Sequence, residues 1–510
     1  MQLVDIYRRA LVESPNKKAV VCSDTFCTYR ELDENIIRYS RTLTALGVKK
    51  GDCVGLLLPN CLEIIYAYFA CFKIGAIAVP SSYFSKTPEI IYQANHCHIK
   101  IYLVHQERAH ILVGVQENTP SLEAVYVVNP TEGNSFISFT QQLNKYGDTK
   151  TLTNFAAEKN YPATILYTSG STGKPKGVTH THNSLVNAAI NRCHTLRHTA
   201  QDSFLTTSYI CHGAAPTVVL LPMFYTGGTA LFLSNFTPEH FLDIMIEHQV
   251  NFAAGAPAQW REVIDCLVSN KQDFSSLKYA TSGGNMVPYQ LQKDFQTLTG
   301  VPLTASLGMT ECGGYMTIPP AKKAISGSLG KPIHNTEVRL VDRQGKEVPK
   351  GEAGEIIVRS NSIMKGYWND PDNTAKAFTD DWFHTGDIGK QDQAGNFYFC
   401  GRLKETIIVN TGNVTPGEVE EILNQHPRVE QSIVVGVPDE HTEQAVFAYI
   451  KLKTGGHQPS KQELTKYTAT YLATRKIPKY WHFIDKFEVS GIADKIDRKK
   501  LTNEALTYIR

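Results

Sequence analysis

The hydrophobic positions in the first part of the chain alternate between short apolar runs and helical stretches. Residues 54–58 (VGLLL) form an apolar run that ends at Pro59 and Asn60, residues 63–73 have helical spacing, and residues 75–80 (GAIAVP) form a second run. Strand–helix–strand alternation of this kind predicts parallel sheets covered by helices. We therefore expect an α/β fold with a large N-terminal body of parallel sheets.

The pattern changes toward the C-terminus. Residues 338–399 contain short alternating segments separated by turn signals, such as DRQG at 342–345, which predicts a β-rich subdomain. After Gly401 the pattern becomes mixed, with a helix beginning near Pro416 and a strand at residues 432–437. We expect a small, mobile α+β C-terminal domain, and we place the boundary between an N-terminal domain at 1–403 and a C-terminal domain at 404–510.

Composition narrows the class of protein. The chain has 510 residues, 42% of them apolar and 20% charged, with a formal net charge of +2. This balance predicts a packed protein and gives no electrostatic argument for a nucleic-acid partner. The 11 cysteines include no CxxC pair, and the most apolar stretch, residues 218–225, is far shorter than the roughly 20 residues of a membrane span. We expect a cytoplasmic protein with no transmembrane segment.

Residues 167–177 (YTSGSTGKPKG) carry the strongest chemical signal in the chain. Glycines let backbone N–H groups approach phosphate oxygens closely, hydroxyls add donors, and lysines add positive charge. The segment follows an apolar strand at 164–166, which favours an anion-binding loop over a solvated turn. Its candidate phosphate ligands are Thr168, Ser169, Gly170, Ser171, Thr172, Gly173, Lys174 and Lys176.

This loop resembles the phosphate loop of the adenylate-forming superfamily, which comprises acyl-CoA synthetases, adenylation domains of peptide synthetases and luciferases. The resemblance extends from residues 28–32 (TYREL) to Lys495, with the motifs in the family's order. It implies an N-terminal domain that binds ATP and a carboxylic acid, and a C-terminal domain that carries a catalytic lysine.

Three further motifs carry family roles. LGMTE at 307–311 implies that Thr310 donates to the α-phosphate and that Glu311 binds Mg²⁺, a cation that prefers oxygen ligands. The TGD motif at 385–387 implies that Asp387 accepts from the ribose hydroxyls. GRLKE at 401–405 implies that Arg402 reaches the ribose or phosphates and that Lys404 is the hinge.

The remaining motifs concern the adenine, the acid and the catalytic lysine. Residues 282–285 (SGGN) imply an adenine site at Gly283, Gly284 and Asn285, and His212 resembles the gate beside the carboxylate. Lys495 matches the catalytic lysine, although Asp494 replaces the family's glycine before it, and the loop at 410–413 also departs from the family pattern. The resemblance places the acid pocket at Gly213, Ala214, Gly308, Met309 and Gly313.

The resemblance implies an acyl-CoA synthetase that forms an acyl-adenylate from a medium- or long-chain fatty acid and ATP, and then transfers the acyl group to coenzyme A. Aryl acids stay open. No arginine stands beside the small pocket residues in the sequence, which counts against malonate-like diacids. An acyl- or aryl-AMP ligase that loads a carrier protein is the alternative, and a non-catalytic nucleotide-binding relative is a third.

Overall fold

A computed structural model describes residues 2–130, 136–149, 155–156, 158–168, 175–213, 215–269, 273–283, 287–320, 324–409, 412–455, 457–490 and 495–509. Of Ser269, Gly412, Asn413, Val489, Ser490 and Lys495, only the backbone is described. Contacts divide the chain into two compact units, residues 1–337 with 359–383 and residues 338–358 with 384–510. The domain boundary at 403/404 rests on a family hinge and stays a prediction.

Two large sheets form the frame of the first unit. The seven-stranded sheet has the order Leu303–Ala305, Tyr279–Ser282, Phe252–Gly255, Ser203–Thr206, Thr229–Phe232, Lys18–Cys22 and Thr25–Thr28. Its neighbouring strands are parallel except for the last pair.

The eight-stranded sheet has the order Gly366–Tyr367, Lys176–Thr181, Pro162–Thr168, Ile77–Pro80, Cys53–Leu57, Ile99–His105, Ala124–Val128 and Ile137–Ser138. Its first two pairs are antiparallel and the others parallel. A small antiparallel sheet contains Leu307–Met309, Gly314–Ile318 and Lys331–Pro332.

Helices connect and cover these strands. The α-helices of the first unit are Arg8–Glu13, Tyr29–Ala45, Leu62–Ile74, Thr87–Cys97, Phe139–Tyr146, His182–Leu196, Leu221–Thr226, Pro238–Glu247, Pro257–Ser269, Tyr289–Thr299 and Pro371–Ala377. The 3₁₀ turns are Leu3–Asp5, Gln106–Leu112, Gln116–Asn118 and Thr310–Cys312, and Ala215–Leu220 is a π-helix.

The helix Leu62–Ile74 lies at the centre of the first unit. It is apolar on every side, as expected of a helix enclosed by other elements, and ten of its residues are buried. Phe69 packs against Tyr7 and Phe224 with ring centroids 5.7 and 5.4 Å away. The helix ends at Gly75, whose φ of 76° is a left-handed conformation that glycine adopts without strain.

In its described residues, the second unit contains two larger sheets, a two-stranded hairpin and three α-helices. Residues 338–358 and 384–402 are built around a sheet with the order Thr336–Val341, Gly354–Ser360, Trp382–Gln391 and Phe378–Thr379, with Phe397–Arg402 paired to Trp382–Gln391. The other sheet has the order Gly412–Val414, Ile407–Val409, Glu443–Leu452 and Val429–Asp439, with Tyr480–Phe483 beside Glu443–Leu452. A hairpin pairs Val489–Ser490 with Lys495–Ile496. The α-helices are Pro416–Asn424, Lys461–Tyr471 and Arg498–Tyr508. The 3₁₀ turns are Leu403–Glu405 and Thr474–Lys476.

The structure confirms the elements that the apolar pattern predicted. Strands Cys53–Leu57 and Ile77–Pro80 pair in parallel, and the predicted helix lies between them in the chain. The helix at Pro416 and the strand at residues 432–437 also form, the latter as part of the longer strand Val429–Asp439. Within the described ranges, no helix is long and apolar enough to cross a membrane.

Arg498 fixes the segment that contains Lys495 to the body of the second unit. Its Nη1 and Nη2 donate to the two carboxylate oxygens of Glu420 at 2.6 and 2.8 Å, and Nη1 also donates to the Val434 carbonyl at 2.8 Å. Glu420 is 1% exposed. Because Arg498 begins the helix that directly follows the hairpin strand Lys495–Ile496, this bidentate pair anchors one end of the segment with the predicted catalytic lysine.

Replacement of Glu420 by glutamine should destabilise the second unit. The variant gives the largely buried guanidinium of Arg498 a neutral partner in place of Glu420, while Glu405 Oε2 stays 3.3 Å from Arg498 Nε. The cost should therefore be below the roughly 3–5 kcal/mol of an uncompensated buried charge. Scanning calorimetry should show a lower unfolding temperature, whereas the exposed neighbour Glu421, changed to glutamine as the control, should leave it unchanged. Equal effects of the two substitutions would reject the anchoring role.

Candidate active site

The phosphate-loop candidate lies between two paired strands. Strand Pro162–Thr168 runs antiparallel to Lys176–Thr181, and Thr168 stands opposite Lys176. Both ends of the loop are therefore held in register by the sheet. Of the predicted phosphate ligands, Ser169, Gly170, Ser171, Thr172, Gly173 and Lys174 lie outside the described residues.

Tyr367 connects the loop to the threonine–glutamate motif. The Lys176 ammonium stands 4.6 Å from the centre of the Tyr367 ring, and the Tyr367 hydroxyl donates to Glu311 Oε1 at 3.2 Å. Burial raises the pKa of Tyr367 and the Glu311 charge raises it further, so the hydroxyl stays protonated as a donor. Tyr367 could not be identified from the sequence, because a lone tyrosine so far along the chain from both motifs gives no sign of a role in the site.

His180 holds the backbone of the same motif. It is fully buried, its Nε2–H donates to the Thr310 carbonyl at 2.7 Å, and Nδ1 lies 3.0 Å from Ser184 Oγ. Burial lowers the pKa of His180 to about 4, and the bond to Thr310 offsets only part of that shift. The imidazole is therefore neutral near pH 7, and it is a second residue that the sequence analysis missed.

Glycines allow the acid-pocket segments to approach closely. A Cβ at Gly213 would lie 3.1 Å from side-chain atoms of both Leu166 and Thr310, so the segment after His212 packs directly against the Thr310 turn. A Cβ at Gly308 would meet the Gly314 carbonyl at 2.6 Å. Gly313 has a φ of 70°, and a Cβ there would lie 2.7 Å from the Ser362 carbonyl. Any side chain at Gly308 or Gly313 would force these backbones apart.

The other first-unit candidates are placed less completely. His212 is half-buried in the turn before the π-helix, and Met309 is half-buried at the end of its strand. Gly283 follows strand Tyr279–Ser282, and a Cβ there would be 3.2 Å from the Tyr315 hydroxyl. The predicted residues Ala214, Gly284 and Asn285 are outside the described residues.

In the second unit, Asp387 and Arg402 form a cross-strand pair. They stand opposite each other on strands Trp382–Gln391 and Phe397–Arg402, and Arg402 Nε lies 3.1 Å from Asp387 Oδ1. Asp387 is 3% exposed. The pair places a guanidinium fork beside an oriented carboxylate, and these groups suit the phosphates and ribose hydroxyls of a nucleotide.

Lys404 and Lys495 also belong to the second unit. Lys404 is exposed within the turn Leu403–Glu405, which directly follows the strand that carries Arg402. Lys495 pairs with Ser490 in the backbone of the terminal hairpin, and its side chain lies outside the description. The substitutions at Asp494 and at the start of the 410–413 loop fall on residues that are not described either.

The donor set fits Mg²⁺ bound together with a phosphate. No cluster of three or more His, Cys, Asp or Glu side chains suited to a metal occurs in the described part of the chain. Glu311 offers one half-buried carboxylate, oriented by Tyr367. Mg²⁺ typically takes one or two protein carboxylates and completes its shell with phosphate oxygens and water, so a single glutamate beside a phosphate loop is sufficient.

Parallel sheets with a hydroxyl- and lysine-rich loop at an antiparallel edge are typical of α/β proteins that bind a nucleotide. Residues 7–368 match the family model of AMP-binding enzymes, and residues 418–491 match the model of the AMP-binding enzyme C-terminal domain. The chain therefore belongs to the AMP-binding enzyme family.

Curated relatives and solved structures agree with this assignment. The chain is 32% identical over 486 residues to a feruloyl-CoA synthase of Amycolatopsis sp., with 95% of each chain covered. It is 28% identical to the medium-chain fatty-acid–CoA ligase of Escherichia coli (strain K12), covering 94% of this chain and 85% of that one. The structure of the anthranilate CoA ligase AuaEII with anthranoyl-AMP matches with a TM-score of 0.90 and 27% identity, over 100% of this chain and 98% of that one.

These comparisons confirm the predicted superfamily, the fold class and the class of enzyme, an AMP-forming acid–thiol ligase. The individual roles of the site residues stay predictions.

His180 should make the folded state sensitive to acid. Its folded pKa, about 4, lies below the value of about 6.5 for an unfolded chain, so the unfolded state binds a proton that the folded state does not. The stability contribution is present above pH 6.5 and declines as the pH falls, reaching a loss of about 3 kcal/mol near pH 4. Urea denaturation should show that His180→Gln loses less stability than the wild type between pH 6.5 and 4.

The exposed His194, changed to glutamine, is the control for that experiment, and its pH profile should follow the wild type. His182 is buried as well, and burial lowers its pKa to about 4, so His180→Gln should retain part of the acid sensitivity. Identical profiles of His180→Gln and the wild type would contradict a neutral buried imidazole at this position.

Proposed function

We propose that the protein is an acyl-CoA synthetase that acts in two half-reactions. The carboxylate of an acid attacks the α-phosphate of ATP, which forms an acyl-adenylate and releases pyrophosphate. The thiol of CoA then attacks the acyl carbon, which forms the thioester and releases AMP. The observation that carries this proposal is the linked set Lys176–Tyr367–Glu311, which joins the phosphate loop to the threonine–glutamate motif.

The adenylation step needs positioning and charge neutralisation more than covalent work by the protein. The loop from Thr168 to Lys176 receives the triphosphate, and Thr310 donates to the α-phosphate. Glu311 is the Mg²⁺ ligand, and the bound ion supplies neutralisation of the phosphate charge. Lys495 bridges the acid carboxylate and the α-phosphate, where negative charge builds in the transition state. His180 holds the Thr310 carbonyl through its hydrogen bond.

Separate motifs carry the proposed nucleoside-binding residues. Gly283, Gly284 and Asn285 line the adenine, chiefly through backbone groups. Asp387 accepts from the ribose hydroxyls, and Arg402 reaches the ribose or phosphates. The existing contact between Arg402 and Asp387 supports these roles, because it orients the carboxylate before the nucleotide arrives.

CoA is the proposed acyl acceptor, and Lys404 is the proposed hinge between the two half-reactions. The names of the relatives support CoA, since both the feruloyl-CoA synthase and the medium-chain fatty-acid–CoA ligase match over nearly the whole chain. A carrier protein is the alternative acceptor. His212 is the proposed gate beside the acid. We also propose that the protein is cytoplasmic.

The candidate acids are of the fatty and aryl classes. A medium- or long-chain fatty acid was expected from the sequence, and relatives named for fatty acids and for feruloyl-CoA are both present. The proposed function is tested by incubating the protein with ATP, Mg²⁺ and an acid panel, and measuring pyrophosphate release and acyl-CoA by mass spectrometry. Pyrophosphate without thioester when CoA is supplied would favour the carrier-protein alternative, and no pyrophosphate with any acid would reject the proposal.

Lys495→Ala should cripple adenylation and largely spare thioester formation from supplied acyl-AMP. Loss of one donor that acts in the transition state should lower the rate of pyrophosphate release by about 10²–10³-fold. Lys499→Ala is the matched control, since Lys499 is an exposed lysine in the same segment. Near-normal pyrophosphate release from Lys495→Ala would refute the assignment.

Lys404→Pro should slow thioester formation by orders of magnitude and leave adenylation near normal. Proline fixes φ near −65°, whereas a hinge must change this torsion between the half-reactions. Lys404→Ala keeps the torsion free and should be close to wild type in both steps. Equal losses of both half-reactions in the proline variant would indicate damage to the turn and would reject the hinge.

A further inference from the structure

A small cavity lies behind Gly313 in the first unit. Its lining includes Ala188, Arg192, Thr217, Gly313 and Tyr315, and it provides about 10 Å³ for the centre of a water molecule. That is room for about one water-sized group. The cavity continues the predicted acid pocket, because Gly313 belongs to both and because the Thr217 hydroxyl donates to the Gly213 carbonyl at 2.6 Å.

Among the described residues that line this cavity, only Arg192 has a charged side chain. It is 3% exposed, and its Nε, Nη1 and Nη2 atoms are buried without a hydrogen-bond partner in the described part of the chain. The guanidinium carbon stands 5.3 Å from the centre of the Phe204 ring and 5.0 Å from that of Tyr315. The rings hold the guanidinium in place, and no described residue accepts a hydrogen bond from its five N–H groups.

Nearby residues do not supply the missing negative charge. Asp202 is committed elsewhere, since Lys278 donates to it at 2.6 Å and the Thr199 backbone donates at 2.7 Å. His198 is buried, and burial together with the charges of Arg192 and Lys278 lowers its pKa well below the usual value, so it is neutral. Burial also lowers the pKa of Arg192, but an arginine remains charged in proteins.

An isolated buried cation of this kind destabilises a fold, and an apolar side chain of similar volume would avoid the desolvation. Its position therefore points to a ligand. We propose that Arg192 binds a second carboxylate of the acid substrate, so that the preferred substrates are short dicarboxylic acids. This inference rests on the proposed function and names its substrate class.

A diacid substrate differs from the expectation drawn from the sequence. The absence of an arginine beside Gly213 and Gly313 in the sequence counted against diacids. Arg192 lies on the helix His182–Leu196, and that helix brings its side chain to the cavity behind Gly313.

The test compares matched acids that differ only in the distal group. Malonic, succinic and glutaric acids, their monomethyl esters and the monocarboxylic acids of equal length are each assayed for pyrophosphate release and acyl-CoA formation. For the wild type, kcat/KM for the best diacid should exceed that for its monomethyl ester by about 10²-fold, since a charged hydrogen-bonded pair is lost in the ester. Arg192→Met should abolish this preference and retain activity with the ester, and Arg192→Lys should retain part of the preference.

Arg197→Met is the matched control, because it removes one positive charge from the exposed end of the same helix, and it should leave the preference unchanged. Thermal unfolding separates the proposed role from a structural one, since Arg192→Met should unfold at the wild-type temperature or above it. Wild-type activity with monocarboxylic acids equal to or above that with diacids would overturn the inference while leaving the proposed function intact. Pyrophosphate release with none of the acids, fatty and aryl acids included, would overturn both.

Discussion

The antiparallel pairing of Pro162–Thr168 with Lys176–Thr181 is the constraint on which the first-unit site depends. One end of the second strand holds Lys176 at the mouth of the loop. Further along it, His180 bonds the Thr310 carbonyl, and Thr181 caps the helix that carries Arg192. This strand of six residues thus carries a predicted phosphate ligand, bonds the threonine–glutamate motif and caps the helix that contains Arg192.

The fold could be predicted from local sequence, because its signals are local. The run at 54–58 is apolar throughout, as in strands buried on both faces, and the next segment changes to helical spacing. The loop and its motifs were equally visible, since they concentrate chemistry in a few consecutive residues. Local spacing could not reveal which residues the chain turns back to meet.

Tyr367, His180 and Arg192 illustrate that limit. Each is an ordinary residue in its own segment, and each acquires a role only through contacts with residues distant in the chain. The expectation against diacids was drawn from adjacency along the sequence, which is a poor guide to what lines a pocket. Arg498 stands three residues after Lys495, and its carboxylate partner on another helix could not be recognised from the sequence.

The first unit is built from two separate stretches of the chain, residues 1–337 and 359–383, so a ribosome synthesises its parts at different times. Strand Gly366–Tyr367 covers the edge of Lys176–Thr181, and the Trp368 amide donates to the Gly177 carbonyl at 2.7 Å. At synthesis rates of roughly 5–20 residues per second, that edge emerges on the order of ten seconds or more before its cover is made. Uncovered strand edges pair with other chains. Nascent polypeptides on crowded polysomes are therefore most exposed to misassembly during this interval. A chaperone that shields strand edges would act during the same interval.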